Sequence, residues 1–230
     1  MNETQRYTGA APGRQARLSI PVVVVLLMDA TASMAGYLKG AVRALTGFVD
    51  ILFAGNLQPS LALVIFRDEQ IGEPTQCYDV GTPAENIKGI LHQTMATGGG
   101  DEPESSLPAI TKAMDLPGFP TGARKVLIHV TDAPCHDPEN ACTAAGVLER
   151  LKQEGVLFHA CCPDIEPYKK FVNATGGTLF PIHTGLREDE FEKVMLSFAR
   201  TTVKTLRIGE SADVGELARQ QLRKTRILEP

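Results

Sequence analysis

The sequence predicts an α/β fold with a mostly parallel, doubly wound sheet and helices on both faces. Short apolar runs rich in β-branched residues alternate with segments of helical periodicity. Helix-length segments separate most of these runs, which is typical of βαβ units. The chain has 230 residues, of which 43% are hydrophobic, so it can bury the core of one such domain.

The first half of the chain contains three of the predicted strands. An apolar run at 21–29 is the first strand. Apolar residues from Leu38 to Phe53 then recur at steps of three and four, which predicts an amphipathic helix. Further strands are predicted at 61–66 and 75–80. The link between them is too short for a crossover helix, so the later strand should run antiparallel at one edge of the sheet.

The second half of the chain supplies three more strands, each preceded by a helix. The strands are predicted at 125–132, 156–162 and 178–183. Along the whole chain after the strand at 75–80, helices are predicted at about 83–94, 104–115, 139–154, 166–174 and 188–203. The result is a six-stranded, Rossmann-like sheet with one antiparallel edge strand.

Composition narrows the class of protein further. The net charge of -4 argues against a nucleic-acid partner. No apolar stretch approaches the roughly 20 residues that span a bilayer, and the polar N-terminal segment does not resemble a secretory signal. An odd number of cysteines fits a reducing compartment. We therefore expect a cytoplasmic protein without membrane attachment, with a disordered tail at 1–19, a domain at 20–205 and an extension at 206–230.

Oxygen-bearing side chains follow the predicted strands at one edge of the sheet. Asp29, Thr31 and Ser33 occupy alternate positions where the first strand ends. Asp132 ends the fourth strand, and a glycine-rich loop that contains Asp101 enters a helix at the same edge. Open α/β sheets bind ligands at this edge. The five side chains can therefore meet around one divalent cation, which would offset the repulsion between the carboxylates.

This pattern resembles the von Willebrand factor A (vWA) domain with its metal-ion-dependent adhesion site. Asp29-Ala30-Thr31-Ala32-Ser33 matches the family's Asp-x-Ser-x-Ser, and Asp132 matches its third element. In the second element, Asp101 stands where the family has Thr, and Thr97 is the alternative ligand. The resemblance covers about 20–205. GGGDEPE together with TDAPCH is most similar to the A domains found beside alpha-kinases and in stand-alone microbial proteins.

The resemblance implies a binding module rather than an enzyme. It implies a site for Mg²⁺, or for Mn²⁺ or Ca²⁺, that binds an acidic side chain of a partner protein. By the same resemblance, an intracellular A domain often works with an ATPase or a kinase. A third carboxylate, from Asp101, should tighten metal binding and weaken the attraction for an incoming acid. The ion is then either a weaker adhesive contact or mainly structural.

An enzyme is the main alternative. Asp29 could be the nucleophile of a Mg²⁺-dependent phosphohydrolase of the haloacid-dehalogenase type. Two features count against this alternative. Thr31 occupies the position where such phosphatases usually have a second Asp, and no downstream acidic loop of the expected kind follows.

Several residues of these loops and strands also have simpler structural interpretations. Asp101 and Glu104 fit the two ends of a capping box, and Asp137-Pro138 fits the first residues of the helix at 139–154. His129 and His159 lie inside strands and are expected to be core residues. The spacing of the cysteines and His136 does not match the usual zinc patterns.

Overall fold

The computed structural model describes residues 21–54, 59–100 and 102–182, together with six positions between 189 and 200. Within these residues the sheet has six strands in the order β3-β2-β1-β4-β5-β6. They are β1 (Val22–Asp29), β2 (Ser60–Phe66), β3 (Gln76–Tyr78), β4 (Arg124–Val130), β5 (Leu157–Cys162) and β6 (Leu179–Pro181). β3 is antiparallel to β2 and the other neighbours are parallel, so the predicted fold class is confirmed.

Helices cover both faces of this sheet. They are α1 (Leu38–Ala54), α2 (Ala84–Gln93), α3 (Ser106–Asp115), α4 (Ala144–Gln153) and α5 (Tyr168–Thr175). One apolar cluster packs α1 and α2 on one face, and a second packs α3, α4 and α5 on the other. Successive side chains of β1 enter the two clusters alternately, because a strand directs them to opposite faces.

Three of the predicted segments lie at or near the ends of the chain. The predicted tail at 1–19 and extension at 206–230 fall outside the described residues, and so does most of the predicted helix at 188–203. The described positions between 189 and 200 are helical. None of the described helices has the length and apolar character needed to cross a membrane.

The start of α4 differs from the prediction. The helix begins at Ala144 rather than near 139, and Thr143 is its N-cap, accepting a hydrogen bond from the backbone N–H of Gly146 at 3.0 Å. A tight turn precedes it, with φ values of 47° at Asn140 and 64° at Ala141. Pro138 is therefore not the first helical residue, because this turn separates it from the helix.

The start of α3 also differs from the prediction. The helix begins at Ser106, so Glu104 lies ahead of it and the capping-box interpretation of Glu104 is wrong. The backbone of the preceding segment is held by neighbouring loops instead. The N–H of Glu104 donates to Pro134 O at 2.9 Å, and the N–H of Ser105 donates to Arg67 O at 3.2 Å.

Candidate metal centre

The carboxyl ends of β1 and β4 place the predicted residues next to each other. Asp29 is the last residue of β1, which pairs with β4 in parallel. Asp132 was expected to end its strand, but β4 ends at Val130 and Asp132 lies two residues beyond it. This difference moves Asp132 into the loop, where its side chain is half-buried rather than enclosed in the sheet.

Asp29 is fully buried, and three hydrogen bonds hold both of its carboxylate oxygens. Its Oδ1 accepts from the Thr31 backbone N–H at 2.9 Å and from Thr31 Oγ1 at 2.7 Å. Its Oδ2 accepts from Thr131 Oγ1 at 2.5 Å. Thr131 was not predicted as part of the site. The signal that could have identified it is a hydroxyl directly before Asp132 at the end of a buried strand.

The hydrogen bonds continue from Asp29 to the loop that follows β4. Thr31 Oγ1 lies 3.0 Å from Ser33 Oγ, and Ser33 Oγ donates to Asp132 Oδ1 at 2.9 Å. Four predicted residues thus form one continuous line of oxygen atoms, which we call the oxygen line: Asp29, Thr31, Ser33 and Asp132. It runs from buried Asp29 through exposed Ser33 to half-buried Asp132.

The oxygen line contains three oxygen–oxygen contacts, but only two hydroxyl hydrogens are present to bridge them. Thr31 uses its hydroxyl hydrogen on Asp29, and Ser33 uses its own on Asp132. The contact between the two hydroxyl oxygens is then left without a hydrogen. A cation close to these lone pairs, or a proton on one of the carboxylates, would remove the deficit. Carboxylate and hydroxyl oxygens are the ligands that hard divalent cations prefer.

Glu104, which the sequence pattern predicts to be part of a capping box, lies near this line. Its side chain is 3% exposed, and its Oε2 has no hydrogen-bond partner. A Cβ atom on Gly99 would lie 2.8 Å from Glu104 Oε1 and 2.9 Å from Thr31 Cβ. The carboxylate of Glu104 is therefore beside both Thr31 and the glycine-rich loop.

Of the two predicted ligands in the second loop, Thr97 is among the described residues. Asp101 lies outside the described residues. Thr97 is exposed, and its backbone ties the loop to β1: its N–H donates to Ala30 O at 3.0 Å, and its carbonyl accepts from Arg67 Nε at 2.8 Å. Within the described part of the chain, no hydrogen bond joins the Thr97 hydroxyl to the oxygen line.

The electrostatics of the site favour uptake of a positive charge. Burial raises the pKa of Asp29 to about 6, against the opposing effect of its hydrogen bonds. Burial, followed by repulsion from Asp29 and other carboxylates, raises the pKa of Glu104 to about 8. Burial also raises the pKa of Asp132. Among the described residues, no Lys, Arg or His forms an ion pair with these three carboxylates.

Carboxylates, cysteines and histidines alone do not complete a metal site here. No group of three or more such side chains in the described ranges is arranged to hold an ion. The hydroxyls of Thr31 and Ser33 are therefore essential to any cation site at this edge. The residues present fit a hard cation, which accepts such ligands and keeps some of its own waters.

The family assignment follows from comparison of the sequence with known families. A sequence profile described as the von Willebrand factor A domain matches residues 23–184, which is more than half of the chain. The chain belongs to the vWA domain family. vWA domains are in general protein-interaction modules and are typically not enzymes.

Solved structures share the fold of this vWA domain. A von Willebrand factor type A protein from Catenulispora acidiphila is 18% identical with a TM-score of 0.57, over 80% of this chain and 43% of its own. The pilus adhesin SpaC from Lactobacillus rhamnosus GG is 14% identical with a TM-score of 0.60, over 83% and 31%. Proximal thread matrix protein 1 from the mussel byssus is 14% identical with a TM-score of 0.58, over 79% and 48%.

One curated relative is also similar in sequence to this vWA domain. It is a protein of Acanthamoeba polyphaga mimivirus named as ariadne-like with a RING finger, 26% identical over 120 residues. That match covers 52% of this chain and 12% of the viral protein. The chain thus spans less than half the length of each relative named here.

Proposed function

We propose that this vWA domain is a divalent-cation-dependent module for protein–protein interaction. The cation is Mg²⁺, or Mn²⁺ or Ca²⁺ with the same preference for oxygen. Asp29, Thr31, Ser33 and Asp132 hold it, and the predicted ligand Asp101, with Thr97 as its alternative, completes the set from the second loop. The observation that carries the proposal is the oxygen line, which joins the carboxyl ends of β1 and β4. Its contact between Thr31 Oγ1 and Ser33 Oγ is left without a bridging hydrogen.

Each residue of the oxygen line has a distinct part in this proposal. Asp29 is fixed by Thr131 and by the Thr31 backbone, so it is a preoriented ligand at the buried side of the site. Ser33 is exposed and contacts the half-buried Asp132. A cation at this end would be accessible to a carboxylate offered by a partner protein, for which the metal supplies a Lewis-acid contact.

Two exposed apolar side chains support a protein as the partner. Ile71 is 55% exposed and Met95 is 69% exposed. A Cβ on Gly100 would lie 3.5 Å from Ile71 Cδ1, which places Ile71 beside the glycine-rich loop. Met95 is tied to the same region, since its carbonyl accepts from Arg67 Nη2 at 3.0 Å. A partner with an acidic residue flanked by apolar ones fits this surface, and an ATPase or a kinase in the cytoplasm remains the partner class that the family resemblance suggests.

Metal binding is tested by calorimetric titration of MgCl₂ and MnCl₂ into the wild type and Asp132→Asn. We expect the variant to bind on the order of tenfold more weakly or worse, because it loses a carboxylate at the accessible end of the oxygen line. Asp164→Asn is the matched control, since this side chain is exposed and its ion pair is with Lys169. Equal affinity in Asp132→Asn and the wild type would show that the site is misassigned.

Partner binding is tested separately by selecting a displayed peptide library against the protein in MgCl₂ and in EDTA. We expect peptides recovered only with MgCl₂ to be enriched in Asp or Glu. Recovery that is identical in EDTA would contradict the metal-dependent mode of binding.

The phosphohydrolase alternative requires a nucleophile that can reach a substrate. Asp29 has no exposed surface, and both of its oxygens accept hydrogen bonds. We therefore expect no turnover of p-nitrophenyl phosphate in MgCl₂. Turnover that disappears in Asp29→Asn would favour the enzyme over the binding module.

A further inference from the structure

We propose that the turn between β2 and β3 positions the glycine-rich loop of the candidate metal centre. We call this turn, residues 67–73, the brace; the part of the loop that it contacts is residues 95–100. Arg67 and Glu73, at the two ends of the brace, are the positioning residues, and both hold the backbone of the loop. The consequence for metal binding rests on the proposed function, whereas the attachment of the loop can be measured without any metal.

The glycine-rich loop has little of its own to fix its shape. Residues 95–100 form neither helix nor strand, and the side chains of Met95 and Thr97 are exposed. Gly98 and Gly99 have φ values of 74° and 67°, which glycine adopts readily. Glycine also loses more conformational freedom on ordering than any other residue. The conformation of the loop therefore depends on contacts with neighbouring segments.

Arg67 holds carbonyl groups of the loop. It directly follows β2, and its Nε donates to Thr97 O at 2.8 Å and to Ala30 O at 3.0 Å. Its Nη2 donates to Met95 O at 3.0 Å. No carboxylate in the described part of the chain forms an ion pair with Arg67. Its guanidinium, with donors in a fixed planar array, thus joins the glycine-rich loop to the loop after β1.

Glu73 holds an N–H group of the same loop. The Gly99 N–H donates to Glu73 Oε2 at 2.8 Å. A Cβ atom on Gly98 would lie 1.7 Å from Glu73 Oε1, so glycine leaves the space that this carboxylate occupies. A cationic side chain at one end of the brace therefore binds acceptors of the loop backbone, and an anionic one at the other end binds a donor.

The brace is a closed turn, so its two ends belong to one supported piece of backbone. The N–H of Glu73 donates to Asp68 O at 3.2 Å, and Asp68 Oδ1 accepts from the Gln70 N–H at 2.9 Å. Arg67 O accepts from the Ser105 N–H at 3.2 Å, which joins the brace to the segment before α3. The end of β2 thus determines where the glycine-rich loop lies.

The position of the loop matters for the proposed function because the loop carries the predicted ligands Thr97 and Asp101. Two backbone bonds place it against the loop after β1: Thr97 N–H to Ala30 O and Ala32 N–H to Gly98 O, each at 3.0 Å. Contacts that orient metal ligands affect affinity even when they do not touch the ion. Loss of the brace should therefore weaken metal binding although no ligand is removed.

The attachment of the loop is tested by hydrogen–deuterium exchange in EDTA, followed in peptides that cover 95–100. We expect exchange there to be on the order of tenfold faster in Arg67→Met and in Glu73→Ala than in the wild type, because each variant loses hydrogen bonds to the loop. Exchange in peptides from β1 should stay within about twofold of the wild type, since a local opening leaves the central strand protected.

Arg150→Met is the matched control, because this arginine forms its ion pairs with Asp115 and Glu154 instead. It should leave exchange at 95–100 unchanged. Exchange at the wild-type rate in Arg67→Met and Glu73→Ala would overturn the positioning role. Exchange that is accelerated equally in every peptide would also overturn it, since the brace would then only stabilise the whole domain. Should Arg67→Met fail to fold, Glu73→Ala decides alone.

Metal binding then tests the consequence of a displaced loop. In calorimetric titrations, Arg67→Met should bind Mn²⁺ on the order of tenfold more weakly than the wild type, and Arg150→Met should match the wild type. Wild-type affinity in Arg67→Met despite faster exchange at 95–100 would overturn the link between loop position and metal binding. Failure of the wild type to bind Mn²⁺ would overturn the proposed function, whereas the exchange rates would still decide the role of the brace.

Discussion

Two groups of carboxylates lie on either side of the segment that precedes α3, and they are compensated in different ways. The first group contains Asp29, Asp132 and Glu104. The second surrounds the hydroxyl of Ser105, which donates to Glu139 Oε1 at 2.5 Å and accepts from the Glu69 N–H at 2.7 Å. Asp68 and Glu139 in this second group are 1% and 3% exposed.

The second group is compensated in part. Lys112 forms an ion pair with Glu69, and His136 Nε2 lies 3.8 Å from Asp68 Oδ1. Glu139 Oε2 is buried without a hydrogen-bond partner, and burial raises the pKa of Glu139. The first group has no such partner among the described residues. A buried carboxylate with a basic neighbour contributes to the fold, whereas one without it calls for a proton or a cation from solvent. The basic neighbours of Glu69 and Asp68 therefore distinguish the second group from the first, which is the candidate binding site.

The largest expected effect is the pH dependence of metal binding. A cation must displace protons from the first group, so affinity should rise with pH. With pKa values of about 6 for Asp29 and about 8 for Glu104, the Mn²⁺ affinity at pH 8 should be roughly a hundredfold above that at pH 6. In Glu104→Gln the same interval should give roughly a twofold change. Calorimetric titrations at the two pH values measure both, and a flat profile in the wild type would remove the distinction between the two groups.

The next effect concerns stability without metal. Because the folded pKa of Glu104 is raised from 4.5 to about 8, folding takes up a proton, and this contribution to stability is lost as pH rises through about 8. Asp29 acts in the same direction up to about pH 6. Urea unfolding in EDTA should therefore show lower stability at pH 8 than at pH 5.5. The decline should be smaller in Glu104→Gln, and an equal decline in both proteins would argue against a raised pKa at Glu104.

The smallest effect on metal binding is expected from a change in the second group. Ser105→Ala removes the hydroxyl that satisfies both Glu139 and the Glu69 N–H, and it should destabilise the protein by about 1–3 kcal/mol. Its Mn²⁺ affinity should remain within about twofold of the wild type, since Ser105 does not contact the oxygen line. Urea unfolding and calorimetry provide the two measurements. Loss of Mn²⁺ binding in the folded variant would show that the two groups act as one site.

The parts of this site that sequence could predict are those set by local pattern and parallel pairing. The apolar run that ends at Asp29 defines β1, and parallel pairing with β4 brings Asp132 to the same edge. Thr31 and Ser33 follow from their spacing after the strand. Their arrangement in the structure agrees with the prediction that they lie together, while their role as metal ligands stays a prediction.

The parts that could not be predicted depend on contacts between loops. Glu104 fits a local capping pattern, but its actual position is set by backbone bonds to Pro134 and His136, which are remote in sequence. The start of α4 depends on a turn at Asn140 and Ala141, where residues other than glycine adopt positive φ. Neither position is encoded in short-range periodicity.

Consecutive residues belong to the two carboxylate groups, since Glu104 lies in the first and the hydroxyl of Ser105 contacts Asp68 and Glu139 in the second. An insertion of one residue just before this pair would bring the Glu104 carboxylate to the place of Ser105, in the already acidic second group. A deletion of one residue would bring the neutral hydroxyl of Ser105 to the place of Glu104 in the first group. The length of the connection from the glycine-rich loop to α3 is thus as much a determinant of the chemistry as the identity of the side chains, and homologues with a different length there should require a different set of ligands.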